Sequence, residues 1–250
     1  MKVTILGSGT NMHPTRAAAG YLFRTDRPIL LDFGPRTLSN LLKTGIDRHT
    51  IQHLLFTHYH ADHFSDFIPF FFDAICYSKF ERLRPPLTIF GPPGTKRVFR
   101  GMFKTFPNFS EFPFRVTIHE VEDRPFSIGP TRIVPKPMTH TSRQCCLGYR
   151  LEYQGKTAAF SGDALASSNL RTLCRNVDLA ILDCSFSEHQ PGASHMHAGA
   201  CGKLANRAGV KRLVLSHFYE TADRSNIVSQ ARKYFHGPIV KAKDLLQLRV

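Results

Sequence analysis

Short apolar runs, each ending at a polar or glycine-containing turn, recur along this chain of 250 residues. Runs of this length indicate buried strands, and longer runs with a helical period indicate helices between them. We predict a helix in the first half of 97–108, another ending at Ala208, and one helix end with a short strand in 232–250. The predicted strands are Met1–Leu6, Ile51–Thr57, Leu87–Phe90, Arg115–Val121, Thr157–Phe160 and Arg212–Ser216.

The segment after the second predicted strand is rich in possible metal ligands. Residues 57–63 read Thr-His-Tyr-His-Ala-Asp-His, so His58, His60, Asp62 and His63 lie within six positions, too few for two helical turns. Neutral imidazole and carboxylate groups suit zinc and similar divalent metals. The alternative is a solvated polar loop that is histidine-rich by chance, in a chain with 13 histidines. The spacing favours a metal site.

Three more candidate ligands lie where a strand-like run meets a turn. His140 follows the extended segment 132–139, Asp163 ends Phe160-Ser-Gly-Asp163, and His217 follows the run 212–216. Strand ends on one rim can bring distant segments together. With the four residues of the motif these make seven ligands, which suit two metal ions better than one.

These residues resemble those of the metallo-β-lactamase superfamily of hydrolases, and within it the ribonuclease Z-like branch. The resemblance implies an α/β fold, a four-layer αββα sandwich. It also implies one metal ion on His58, His60 and His140, a second on Asp62, His63 and His217, and Asp163 as the bridge. The motifs that carry it are Leu6-Gly-Ser-Gly-Thr10, Leu30-Leu-Asp32-Phe-Gly34, the segment 58–63, Phe90-Gly-Pro-Pro-Gly-Thr95, His140, Ser161-Gly-Asp163 and Leu215-Ser-His217-Phe218.

Two divalent ions about 3.5–4 Å apart would activate a bridging water as the nucleophile. Zinc is the first expectation, and manganese or iron would also accept these ligands. The predicted catalytic residues are Asp62, His195 and Asp183. Asp32 resembles the aspartate that orients the histidine loop in this family; the alternative is a carboxylate that caps a turn.

His195 lies before a helical run and resembles the histidine that assists the leaving group in ribonuclease Z-type enzymes. Asp183, after the preceding strand, occupies the place of its acidic partner. An imidazole oriented by a carboxylate suits general acid catalysis near neutral pH. The alternatives are that His195 caps the helix or is solvent-exposed, or that the nearby His197 is the acid.

The ligands span positions 58 to 217, so we expect one domain over residues 1–250. The six cysteines show no paired zinc spacing. The chain starts directly with a strand-like segment and shows no secretory leader, so we expect a reducing cytoplasm. The aromatic run Phe67–Phe72 is too short to cross a membrane. We favour a core role for it, with a homodimer face second.

A formal net charge of +14 favours an anionic substrate, either a small phosphodiester or nucleic acid. Ribonuclease Z enzymes carry a tRNA-gripping arm between the equivalents of His140 and Asp163. Residues 141–162 leave room here for only a turn and two strands, which puts tRNA processing in doubt. We therefore predict a dinuclear metal-dependent hydrolase, most simply a phosphodiesterase. Hydrolysis of a lactone, thioester or β-lactam is an alternative, as is a non-catalytic protein that binds anions or nucleic acid.

Overall fold

The computed structural model describes residues 1–190 and 192–250. Within this part of the chain the strands form two sheets of seven strands each. The strands are β1 (Lys2–Gly7), β2 (Gly20–Arg24), β3 (Pro28–Phe33), β4 (His53–Leu55), β5 (Leu87–Gly91), β6 (Val116–Glu120), β7 (Phe126–Ile128), β8 (Thr131–Pro137), β9 (Leu147–Tyr153), β10 (Lys156–Phe160), β11 (Leu179–Asp183), β12 (Leu213–Ser216), β13 (Ile239–Lys241) and β14 (Gln247–Arg249). The helices are α1 (Thr37–Lys43), α2 (Ala61–Phe64), α3 (Phe67–Phe80), α4 (Thr95–Thr105), α5 (Ser168–Leu173), α6 (Ala198–Ala208), α7 (Glu220–Asp223) and α8 (Ile227–Arg232).

The strand order is β14-β1-β2-β3-β4-β5-β6 in the first sheet and β13-β12-β11-β10-β9-β8-β7 in the second. Strands β3 to β6 are parallel, and so are strands β10 to β13. The carboxyl ends of parallel strands meet at one edge of a sheet, which is where ligands bind in open α/β sheets. The candidate site residues therefore fall on two such edges.

Alternation along the central strands divides the apolar side chains between two clusters. Tyr21 and Ile29 lie in a cluster with residues of the second sheet, whereas Leu22 and Leu30 lie in a cluster with α3 and α4. The helices α5, α6 and α8 pack against strands of the second sheet. The predicted αββα sandwich is confirmed.

The aromatic run lies in α3, where Phe67, Phe70 and Phe71 are buried. The Phe67 ring contacts the rings of Phe70, Phe71 and Phe99, as the core interpretation predicted. Phe72 is 46% exposed on the same helix. The homodimer face stays a prediction.

Three local features differ from the sequence expectations. Strand β4 is shorter than the predicted 51–57, and the motif ends in a single helical turn, α2, that carries Asp62 and His63. The C-terminal segment contains two short strands rather than one, because β13 pairs with β12 and β14 pairs with β1.

No helix in the described part of the chain is long and apolar enough to cross a membrane.

Candidate metal centre

Three imidazole nitrogens converge at one side of the candidate centre. His58 Nε2 lies 3.0 Å from His60 Nδ1, which lies 3.3 Å from His140 Nε2. Asp163 Oδ2 lies 3.6 Å from both Nε2 atoms. The His58 and His60 side chains come from the loop after β4, and His140 follows β8, so the group joins the two sheets.

Hydrogen bonds on the far side of two rings show which of their nitrogens carries a proton. His140 Nδ1 lies 2.9 Å from the Ser194 carbonyl oxygen, which can only accept, so this Nδ1 donates and Nε2 bears the lone pair of the neutral ring. Thr57 Oγ1 donates to Asp32 and lies 3.0 Å from His58 Nδ1, which donates to it in turn. Two bare Nε2 lone pairs therefore face His60 Nδ1, an arrangement that a cation would stabilise.

Asp62, His63 and His217 form a second convergent group. His63 Nε2 lies 3.2 Å from His217 Nε2, and Asp62 Oδ2 lies 3.4 Å from the same His217 atom. His63 Nδ1 is 2.7 Å from Asp32 Oδ2, and His217 Nδ1 is 3.0 Å from Ser185 Oγ. These outer contacts orient both rings so that their Nε2 atoms point at one space.

Asp163 lies between the two groups. Its Oδ1 is 3.0 Å from His63 Nε2 and 3.2 Å from His217 Nε2, while its Oδ2 faces the first group. Oδ1 is buried and makes no hydrogen bond of acceptable geometry. A buried carboxylate needs positive charge beside it, which protonated imidazoles supply without an ion and a metal ion would supply when bound. The position of Asp163 between the two groups fits a carboxylate shared by two metal ions.

Burial and neighbouring charges shift the pKa of His58 in one direction and the pKa values of His63 and His217 in the other. Burial and the charge of His63 lower the pKa of His58 well below its usual value. Burial also lowers the pKa of His63, but Asp163 and Asp32 outweigh it and raise this pKa well above the usual value. Asp163 raises the pKa of His217 to about 10 against the same burial. Without an ion these carboxylates hold protons on the second group, and a divalent ion would displace them.

Asp32 hydrogen-bonds to both ends of the motif, and its role in orienting the metal ligands stays a prediction. Its Oδ1 accepts from the Thr57 backbone N–H at 2.8 Å, and its Oδ2 accepts from Thr57 Oγ1 and His63 Nδ1. Asp32 and His217 have φ values of 54° and 64°, in the left-handed region that L residues rarely adopt. Strain of this kind persists where the surroundings fix it, and it commonly marks functional sites.

His195 is held outside these two groups by Asp183. His195 Nδ1 lies 2.8 Å from Asp183 Oδ2, and the other carboxylate oxygen accepts from Ser185 N and Oγ. Burial lowers the pKa of His195, but the hydrogen bond to Asp183 outweighs it and raises this pKa. His197, by contrast, caps α6 by accepting from the Ala200 N–H. The helix-capping role therefore belongs to His197.

Sequence reasoning missed three groups that complete the centre. The Ser185 hydroxyl, the Ser194 carbonyl and the Thr57 hydroxyl each contact a ring nitrogen of a candidate ligand. Thr57 directly precedes the motif, which is a weak signal. Ser185 and Ser194 carry no pattern of their own, because their roles depend on the contact between segments distant in sequence.

Comparison with known proteins gives a consistent result. A family model described as a β-lactamase superfamily domain matches residues 27–218. The probable metallo-hydrolase YhfI of Bacillus subtilis is 27% identical over 98% of each chain, and a ribonuclease Z of Methanosarcina acetivorans is 26% identical over 100% of this chain and 98% of its own. The YhfI crystal structure superposes with a TM-score of 0.87 over 99% of this chain and 98% of its own, at 25% identity. Human tRNase Z, short form, gives 0.79 over 100% and 99%, at 21% identity. The family resemblance seen in the motifs is confirmed.

Proposed function

Because this chain belongs to the β-lactamase superfamily of metallohydrolases, we propose that it is a dinuclear phosphodiesterase of the ribonuclease Z-like type. The observation that carries this proposal is the His195–Asp183 pair beside the two convergent groups. The pair can give a proton to an alkoxide leaving group, which departs poorly without one. The net charge of +14 favours an anionic diester over a neutral lactone as the source of that alkoxide.

The proposed ligands follow two of the three convergent groups in the described part of the chain, within one domain that spans residues 1–250. His58, His60 and His140 would hold one ion, and the second would lie on Asp62, His63 and His217. The third group joins Asp163 and His217 to the proposed acid pair, Asp183 and His195. Asp163 would be shared. Ions bound there would lower the pKa of a water molecule and offset negative charge on the phosphoryl oxygens. Zinc is our first choice, and manganese or iron would accept the same donors.

The protein's own groups position the acid. Asp183 is buried and held by the Ala164 and Ser185 N–H groups at 3.1 Å each, so it is fixed before substrate arrives. It holds the Nδ1–H of His195, which leaves Nε2 as the atom that can give a proton to the leaving oxygen. A general acid in this position contributes on the order of 10²–10⁴ in rate.

The proposed substrate is an RNA end or a small phosphodiester. The net charge of +14 attracts anions, and relatives that match the whole chain are named ribonuclease Z. Strands β9 and β10 with their turns occupy residues 141–162, so this chain would act without an arm in that position. Hydrolysis of a lactone, thioester or β-lactam on the same residues is the second candidate, and a non-catalytic anion-binding role is the third.

A substrate panel tests the proposal. The purified protein is loaded with zinc or manganese and assayed on bis(p-nitrophenyl) phosphate, an acyl lactone and a chromogenic cephalosporin. We expect turnover of the diester to exceed that of the other two. Robust cephalosporin or lactone turnover without diester turnover, with both metals, would overturn it.

A further inference from the structure

A cleft of about 410 Å³ between α5 and α6 is lined by three cationic side chains. Arg171 comes from α5, and Lys203 and Arg207 lie one turn apart on α6. The Ser167 and Ser168 residues complete its polar wall, and no acidic residue is among the described residues that line it. The cleft is therefore a concave, positively charged site outside the candidate metal centre.

These cations have no counterions in the described part of the chain. Neighbouring cations do have them, since Lys211 pairs with Asp178 at 2.8 Å and Lys233 with Glu188 at 2.9 Å. Like charges four positions apart on a helix, as at Lys203 and Arg207, repel each other. The Lys203 ammonium is held 4.3 Å from the centre of the Tyr234 ring. The three cations are exposed, and the cleft therefore presents positive charge that no neighbouring carboxylate of the described residues neutralises.

The cleft adjoins the candidate centre through both of its walls. Ala166 lines it and lies three residues after Asp163, which limits the distance between their Cα atoms to about 11 Å. The intervening Leu165 N–H donates to the Thr139 carbonyl, next to His140. On the other wall, α6 begins three residues after His195. A polyanion that reaches the centre can therefore reach the cleft.

We propose that this α5–α6 cleft binds a phosphate group of a single-stranded RNA substrate whose scissile bond lies at the metal centre. The inference rests on the proposed function. The guanidinium groups of two arginines and the ammonium group of a lysine can all donate hydrogen bonds to the oxygens of a phosphate. Arginine does so with two parallel hydrogen bonds. A nucleic acid strand carries further phosphates beside the one that reacts. The cleft supplies a grip that does not need an arm between His140 and Asp163.

The test removes the charges and keeps the aliphatic stems. The cleft variant is Arg171→Gln, Lys203→Gln, Arg207→Gln. Its matched control is Arg97→Gln, Arg100→Gln, Lys104→Gln. This variant also removes two arginines and one lysine, but from the exposed face of α4, which packs on the other sheet. Binding of a fluorescent RNA octamer to the metal-loaded proteins is measured by anisotropy over a range of salt concentrations. Turnover of bis(p-nitrophenyl) phosphate is measured in parallel.

We expect the cleft variant to bind the octamer at least about tenfold more weakly than the control variant. The slope of log affinity against log salt should become shallower by about 0.7, because one phosphate of the strand is no longer neutralised by the protein. Diester turnover should match wild type, because the small substrate does not extend into the cleft.

Three results would overturn the inference: equal loss of affinity in both variants, unchanged affinity in the cleft variant, or loss of diester turnover in the cleft variant alone. A response of diester turnover to inorganic phosphate that disappears only in the cleft variant would make free phosphate the occupant instead, which also overturns it. Absence of diester turnover in wild type counts against the proposed function, whereas normal turnover with unchanged octamer binding in the cleft variant counts against the cleft alone.

Discussion

His195 Nδ1 lies 2.8 Å from Asp183 Oδ2, and the Ala164 N–H donates to the same carboxylate oxygen. Ala164 directly follows Asp163, the residue shared by the two candidate metal groups. The carboxylate that orients the proposed acid is thus tied to the backbone beside the central ligand. The proposed proton donation and metal binding would thus be positioned by one hydrogen-bonded unit, and experiments can separate them.

His195→Ala should slow the hydrolysis of diesters with alkoxide leaving groups by on the order of 10²–10⁴, and of p-nitrophenyl esters far less. A nitrophenolate departs without a proton, so the acid adds little for it. The measurement is kcat/KM for both ester types, with metal content determined alongside. Asp183→Asn should give a milder form of the same pattern. Equal losses on both ester types would assign His195 to binding or structure.

Asp163→Ala should lose much of both metal ions, because the shared carboxylate faces both groups. Elemental analysis of wild type should give about two divalent ions per chain. Asp178→Ala is a suitable control, since this carboxylate pairs with Lys211 away from the centre. Full metal content in Asp163→Ala would remove this residue from the bridging position.

Asp32→Asn should weaken metal binding about 10–100-fold, because the amide disturbs the acceptor that orients His63. The measurement is a competition titration with a chromogenic chelator, and the folded state is checked by circular dichroism. Asp26→Asn offers a comparison at a carboxylate that pairs with its neighbours Arg27 and Thr25, away from the centre. Wild-type affinity in Asp32→Asn would make Asp32 a turn residue without influence on the metals.

Asp223→Asn should destabilise the fold by about 2 kcal/mol at pH 7. Burial raises the pKa of Asp223, but its hydrogen bonds to Arg16 and Lys241 outweigh this and depress the pKa. A depressed carboxyl pKa contributes stability that is present above the unfolded-state value near 4 and is lost as pH falls through the lower folded value. The free energies of unfolding of wild type and variant, measured by urea titration, should therefore approach each other as the pH falls below about 4. A difference between them that is as large at pH 2 as at pH 7 would contradict this role for the Asp223 charge.

The sequence predicted the parts of the molecule that depend on local pattern. Apolar runs indicated the position of strands such as β10 and β12, and the spacing of His58 to His63 indicated the metal motif. It did not indicate Ser185 as the partner of His217, because the two meet only when β11 and β12 pair. It left the choice between His195 and His197 open, since two histidines two positions apart share every local signal. The structure adds that His195 contacts Asp183 whereas His197 caps α6, and the role of His195 as the acid stays a prediction.

Each half of the centre draws its side chains from both sheets. His58 and His60 come from the first and His140 from the second, while His63 comes from the first and His217 from the second. Ions bound there would link the two sheets and stabilise the folded state, since a ligand that binds only the folded state adds to its stability. Metal supply would then govern the lifetime of the protein as well as its activity. Without bound metal, the chain would unfold more readily and would therefore be cleaved faster by proteases, in addition to losing activity.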